Sequence, residues 1–140
     1  MIRLFCISLH FVCLLALLNA PVNAEEEAEP APKAQYFSLK PSFVANFGDT
    51  SAKRLKFIKV DASVRAFSDD AIAAVFDHNS LVRHQIVMAL SAQSEESLAT
   101  SESQEALRQD ILAKVKAALK EETGKEQIDD LLFTSFVVQR

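Results

Sequence analysis

Cysteine, glycine and tryptophan are scarce in this chain of 140 residues. It has no tryptophan, two glycines and two cysteines, and the cysteines, Cys6 and Cys13, both lie close to its start. Residues 25–140 therefore contain no cysteine, which excludes a disulfide framework and any thiolate metal site in that part of the chain. Because Gly48 and Gly124 are the only glycines, there is also no glycine-rich loop that could hold a phosphate.

Basic residues are fewer than acidic residues in this chain. The chain has 15 Lys and Arg against 19 Asp and Glu, which gives a formal net charge of −4 at pH 7. A mildly acidic surface offers no electrostatic basis for binding nucleic acid, so we expect no nucleic-acid partner. At this length we expect one folded domain of modest size.

A long apolar run occurs only in the first 24 residues. Arg3 supplies a short basic start, Leu4 to Leu18 is an apolar run of 15 residues, and Ala24 ends a small-residue pattern that signal peptidases accept. Fifteen helical residues span about 22 Å, less than the ~30 Å hydrocarbon core of a membrane. We therefore expect cleavage between Ala24 and Glu25, with retention of residues 1–24 as a membrane anchor as the alternative. Both interpretations place the domain on the periplasmic side of the inner membrane.

The leader is followed by a predicted linker and then by the folded domain. Residues 25–35 are acidic, contain proline and lack large apolar side chains, so we expect a flexible linker. The domain is expected over residues 36–140.

Two strands are predicted at the start of the domain. In the first, apolar side chains alternate from Phe37 to Phe47, and Pro41 within this run indicates an edge strand or a bulge. The second runs from Leu55 to Ala66, with a slip in its alternation after Phe57 that indicates a bulge or a twist of the strand.

Three helices and a last strand complete the predicted order. Ser68 is expected to cap the first helix, Ser101 and Gln104 to form the capping box of the third, and Gly124 to end it. From Leu131 to Val138, apolar residues occupy both the odd and the even positions, so both faces of this strand would be covered and we expect it to be central. The order predicts an α+β domain, a small antiparallel or mixed sheet with three helices packed on one side. The helical side chains predicted to be buried are Ile72, Val75, Phe76, Val82, Ile86, Ala89, Leu90, Leu107, Ile111, Val115, Ala118 and Leu119.

No group of residues has the pattern of an active site. His78 and His84 are six positions apart and do not form the i, i+4 pair of a helical metal site, so we interpret both as structural or surface residues. The acidic pairs Asp69–Asp70 and Asp129–Asp130 are explained by helix-start and turn chemistry. We therefore expect no catalytic, cofactor-binding or metal-binding residues and no enzymatic activity.

Arg83 is the residue that we single out for an interaction. It lies near a helix start, where a cation is mildly unfavourable, so we expect a carboxylate partner. That partner could be Asp69, Asp70 or Asp77 within the domain, or it could belong to a second subunit. Arg108 is interpreted as an ordinary surface residue, paired along its own helix.

The second half of the chain carries a family resemblance. LVR opens the second predicted helix, LATSESQEALRQDI leads into the third, and FTSFVVQ lies at the end of the chain. These segments and their order, over residues 36–139, resemble the flagellar basal-body-associated FliL family. The resemblance implies a domain similar to the stomatin-type scaffold domain, which assembles into rings.

The resemblance also implies a function. A FliL-like protein would be non-enzymatic, would contact flagellar stator and basal-body proteins and further copies of itself, and would support rotation, swimming and chemotaxis. Members of the family usually keep an uncleaved anchor in the inner membrane, whereas the apolar run of this chain is shorter and its flank less basic. The alternative is a soluble periplasmic binding or adaptor protein with the same fold and no stator contact.

Overall fold

A computed structural model describes residues 32–48 and 56–139. The predicted leader, its cleavage point and the linker up to residue 31 lie outside the described residues. The described elements confirm the α+β prediction, and every strand pair is antiparallel. In chain order they are β1 (Gln35–Ser38), β2 (Phe43–Phe47), β3 (Lys56–Ala66), α1 (Asp69–Asp77), α2 (Asn79–Ser91), a 3-10 turn (Glu96–Leu98), α3 (Ser101–Thr123) and β4 (Asp130–Gln139).

Strand β3 is the centre of the sheet. β4 pairs with it along one edge, from Phe57 to Arg65 of β3, while β1 and β2 lie end to end along the other edge. The last strand is therefore an edge strand, and the prediction that it is central is wrong.

A bulge in β4 explains why its sequence resembles that of a central strand. Asp61 pairs with Ser135 and Ala62 with Phe133, so Thr134 is an extra residue between them. One extra residue exchanges the two faces of a strand. Most apolar side chains of β4 therefore reach the same side of the sheet, although they occupy both alternations in the sequence.

Strand irregularities were also predicted at Pro41 and after Phe57, and the structure confirms the first but shows no bulge at the second. Pro41 separates β1 from β2, both of which are edge strands, as its position indicated, and the Lys40–Pro41 peptide is cis. Of the bulge or twist predicted after Phe57, the bulge is absent, because the pairing of β3 with β2 continues without a shift through Phe57, which lies opposite Asn46.

The core lies between the sheet and the three helices. Alternate residues of β3 from Ile58 to Ala66 are buried, and so are the helical residues predicted for α2. The prediction that Phe76 is buried is wrong, because 66% of the residue is exposed. Its ring makes an edge-to-face contact with Phe37, with 6.4 Å between the ring centroids. In α1 the buried positions are Ala71 and Val75, which lie one turn apart. The buried residues of α3 are Leu107, Ile111, Leu112, Val115 and Leu119.

Local capping sets the limits of the helices. Ser68 caps α1 as predicted, and Gly124 ends α3 with a φ of 74°, the left-handed conformation that favours glycine. The cap of α3 is Thr100, one residue before the predicted Ser101. The side chain of Gln104 donates to the Leu98 carbonyl and does not complete a capping box.

Candidate interaction surface

Arg108, in the second turn of α3, makes more polar contacts than the sequence suggests. Its Nη1 donates to Asp130 Oδ1 at 2.5 Å and to the Leu131 carbonyl oxygen at 2.6 Å. Its Nε and Nη2 donate to the two carboxylate oxygens of Glu105, at 2.7 and 2.6 Å. Only 14% of the Arg108 side chain is exposed. Arg108 therefore joins α3 to β4, and its interpretation as an ordinary surface residue is wrong.

Arg65 extends these contacts across the sheet. Its Nε donates to Asp129 Oδ2 at 2.6 Å, and its Nη2 lies 3.6 Å from Asp130 Oδ2. The hydrogen bond with Asp129 raises the pKa of Arg65. The two adjacent aspartates are thus ion-pair partners and not only turn residues. Together with Arg108 and Glu105 they form a network of two cations and three carboxylates, which leaves a surplus of negative charge.

Two glutamates at the start of α3 are held in the ionised form. Hydrogen bonds from Arg108 and Gln109 lower the pKa of Glu105 from 4.5 to about 2. The pKa of Glu102 is lowered by a hydrogen bond from its own backbone N–H and by another from the Thr100 hydroxyl. Acidic side chains are favoured at this end of a helix, where the backbone N–H groups point outward.

A groove runs between β4 and the first two turns of α3, and we call it the β4 groove. Its volume is about 380 Å³. The rings of Phe133 and Phe136 lie 5.4 Å apart within it, so one part of the lining is aromatic, while the helix side is polar and carries one acid, Glu105, and one base, Arg108. The lining residues are Ser101, Gln104, Glu105, Arg108, Leu132, Phe133 and Phe136.

Arg83 has a different partner from the one predicted. Its Nη1 donates to the Pro41 carbonyl oxygen at 2.9 Å, and its guanidinium carbon lies 4.2 Å from the centre of the Phe43 ring. No carboxylate of the described residues forms an ion pair with it, so the expected partner among Asp69, Asp70 and Asp77 is a wrong prediction. The Pro41 carbonyl oxygen and the face of the Phe43 ring stabilise the positive charge of Arg83 instead. Contact between Arg83 and a second subunit stays a prediction.

The remaining polar candidates have local roles. The Asp69 carboxylate accepts from the Gln35 side chain at 2.7 Å, and the backbone N–H of His78 ends α1 by donating to the Ala74 carbonyl. His84 is exposed, as expected. Within residues 32–48 and 56–139, no three His, Cys, Asp or Glu side chains are grouped as a metal site would need.

The face of the sheet turned away from the helices is open. Val44, Lys59 and Val137 are direct neighbours across three strands, and the two valines are 59% and 50% exposed. Tyr36, on the same face, is 60% exposed.

A second cleft, of about 630 Å³, lies where β1 ends and β2 begins. Its side chains are mostly polar, and among them Ser42 donates to Asp61. In the described part of the chain, no helix is long and apolar enough to cross a membrane.

Comparison with known families gives the domain its context. Residues 36–139 match the family described as flagellar basal body-associated protein FliL. The chain belongs to the FliL family. The match spans nearly all the described elements and confirms the resemblance found in the sequence, so the protein is a member of a family of flagellar basal-body accessory proteins. A search of curated proteins found no match.

Sequence reasoning identified the family but not the groove. The groove depends on the contact of Arg108 with Asp130, 22 positions away, and on an edge of β4 that no strand of the described residues pairs with. The acidic pair at the start of the last strand was the available signal, because two adjacent carboxylates repel each other and nearby cations stabilise them.

Proposed function

We propose that this protein is a non-enzymatic component of the flagellar basal body that acts beside the stator and supports rotation, swimming and chemotaxis. The observation that carries the proposal is the match to the FliL family over residues 36–139. The domain would lie on the periplasmic side of the inner membrane, either anchored by the leader or released after cleavage.

The protein would act through contacts with the stator and with further copies of itself, arranged as a ring. Open surfaces on the domain support such contacts, since both the exposed sheet face and the β4 groove lack a covering element among the described residues. A ring that binds one state of the stator more tightly than another shifts the stator toward that state. Arg83 is our proposed subunit contact, because its side chain is held in place by Pro41 and Phe43 yet stays partly exposed.

A deletion strain tests this function. Cells without the gene should assemble flagella but swim poorly, and the defect should grow with load on the motor. Electron microscopy measures assembly, swimming in media of graded viscosity measures torque, and expression from a plasmid should restore swimming.

Normal swimming of the deletion strain, with no second gene of the family present, would contradict the stator role. The alternative, a periplasmic adaptor with no stator contact, would then take its place.

A further inference from the structure

Strand β4 has one hydrogen-bonding edge without a strand partner in the described part of the chain. β3 occupies its other edge, from Asp130 to Gln139. The free edge is ten residues long and contains no proline, and no charged side chain occurs between Leu131 and Val138. Proteins usually avoid such edges, because unpaired backbone N–H and C=O groups accept an added strand.

The opposite edge of the sheet, formed by β1 and β2, is less suited than β4 to accept an added strand. Pro41 divides it into β1 and β2, neither of which exceeds five residues, and Arg83 already bonds the Pro41 carbonyl. A proline and short strands are both common means of preventing edge pairing. The longer template for an added strand is therefore β4, after Leu131, whose carbonyl already accepts from Arg108, and with one bulge at Thr134.

The β4 groove determines what kind of strand would fit. Side chains of an added strand alternate between two faces, so those on one face would lie over Phe133 and Phe136. Glu105 lies on the helix side of the groove with 56% of its side chain exposed, whereas the neighbouring Arg108 is only 14% exposed, and the ion-pair network that contains both carries a surplus negative charge. A basic side chain on the added strand would complement that charge.

We propose that the β4 groove binds an extended segment of a partner protein that has apolar residues at alternate positions and a lysine or arginine beside Glu105. The segment would add a strand to β4, with backbone hydrogen bonds providing affinity and side-chain contacts providing specificity. A second copy of the chain fits less well, because its Asp130–Gln139 strand has no basic side chain and begins with a carboxylate. The inference rests on the proposed function in one respect, that the protein acts by binding partners.

Synthetic peptides test the groove directly. The probe is a fluorescein-labelled peptide of sequence KTVTVTK, in which the lysines and valines share one face of the strand, titrated with the full-length protein in mild detergent and followed by fluorescence anisotropy. The peptide ETVTVTE should bind at least about tenfold more weakly, because its carboxylates would lie beside Glu105. A copy of the basic peptide methylated on its backbone nitrogens should lose binding, because it cannot pair with a strand edge.

Two matched variants locate the binding site. Glu105→Gln removes the negative charge in the groove but keeps an acceptor for Arg108, and it should weaken binding of the basic peptide about two- to fivefold. Asp110→Asn removes another carboxylate of α3, one that pairs with Lys114 at 2.6 Å and is about half exposed, but does not line the groove. It should leave the affinity of both peptides unchanged. Equal effects of the two variants would overturn the proposal.

The remaining outcomes are also decisive. No binding of the basic peptide at millimolar concentration overturns the proposal, and so does a protein dimer that must dissociate before the peptide binds. Poor swimming of the deletion strain without peptide binding would refute the groove alone. Peptide binding together with normal swimming would refute the stator role and leave the groove standing.

Discussion

Asp130 is the residue at which the two arginines of the ion-pair network meet. Its Oδ1 accepts from Arg108 at 2.5 Å and from the Leu131 N–H at 2.8 Å, and Arg65 lies 3.6 Å from its Oδ2. With 21% of its side chain exposed, it is partly withdrawn from water. Charge-assisted hydrogen bonds are stronger there than at a fully exposed position, so this residue fixes the start of β4 against α3.

The ionisation of Glu105 makes the stability of the domain depend on pH. Its pKa in the folded protein, about 2, lies below the ordinary value of 4.5. The charged form therefore stabilises the fold above the ordinary pKa, and this contribution is lost as the pH falls toward the folded-state value. Between about pH 5 and pH 2, the wild-type protein should lose more stability than Glu105→Gln, as measured by urea denaturation at several pH values. Parallel curves for the two proteins would contradict this.

Arg83 should contribute to stability through its two contacts with the segment between β1 and β2. Arg83→Ala removes the hydrogen bond to the Pro41 carbonyl and the contact with the Phe43 ring. We expect a loss of about 1–2 kcal/mol in the free energy of unfolding, measured by urea denaturation. The neighbouring variant His84→Ala is the control, because His84 is exposed and its loss should change stability by about 0.5 kcal/mol or less. Equal effects of the two variants would show that the Arg83 contacts do not stabilise the fold.

At the scale of elements, the two edges of the sheet should respond differently to the loss of a phenylalanine. Phe47 of β2 is 2% exposed, whereas Phe136 of β4 is only partly buried. Phe47→Ala should cost about 3–5 kcal/mol, and Phe136→Ala about half as much, because the lost side chain is partly in water already. Chemical denaturation of the two variants measures the difference. Equal losses would mean that β4 is covered as fully as β2.

The sequence predicted elements well where local patterns determine them. Alternation identified the buried side of β2 and β3, helical spacing identified Val82, Ile86 and Leu90, and Gly124 marked the end of α3. These signals are local because each depends on residues a few positions apart.

The errors arose where distant residues decide the structure. The apolar pattern of β4 does not reveal that Thr134 is a bulge, since the bulge is defined only by pairing with Asp61 and Ala62. The partners of Arg108 were missed for the same reason, because Asp130 is 22 positions away. Phe76 has the helical spacing of a core residue, yet its position at the end of a short helix leaves it exposed.

At the scale of the whole molecule, the state of the leader can be settled by mass. We expect cleavage between Ala24 and Glu25, because the apolar run is shorter than a membrane span and ends in a small-residue pattern. The intact mass should match a chain that begins at Glu25, and osmotic shock should release the protein. Full-length protein in the inner-membrane fraction would instead support the anchored form that is usual in the FliL family.

The pairing of β3 with β4 also governs how the chain reaches its fold. Asp61 and Thr134, which bond across these strands, are 73 positions apart, and all three helices lie between them. Closing so long a loop costs entropy before any contact compensates for it, and folding that depends on such distant contacts is slow. The helices need only local contacts and form within about a microsecond. A chain whose sheet closes late stays unfolded for longer. For a domain on the periplasmic side of the membrane, as proposed above, that delay would favour passage through a narrow export channel before the domain becomes compact.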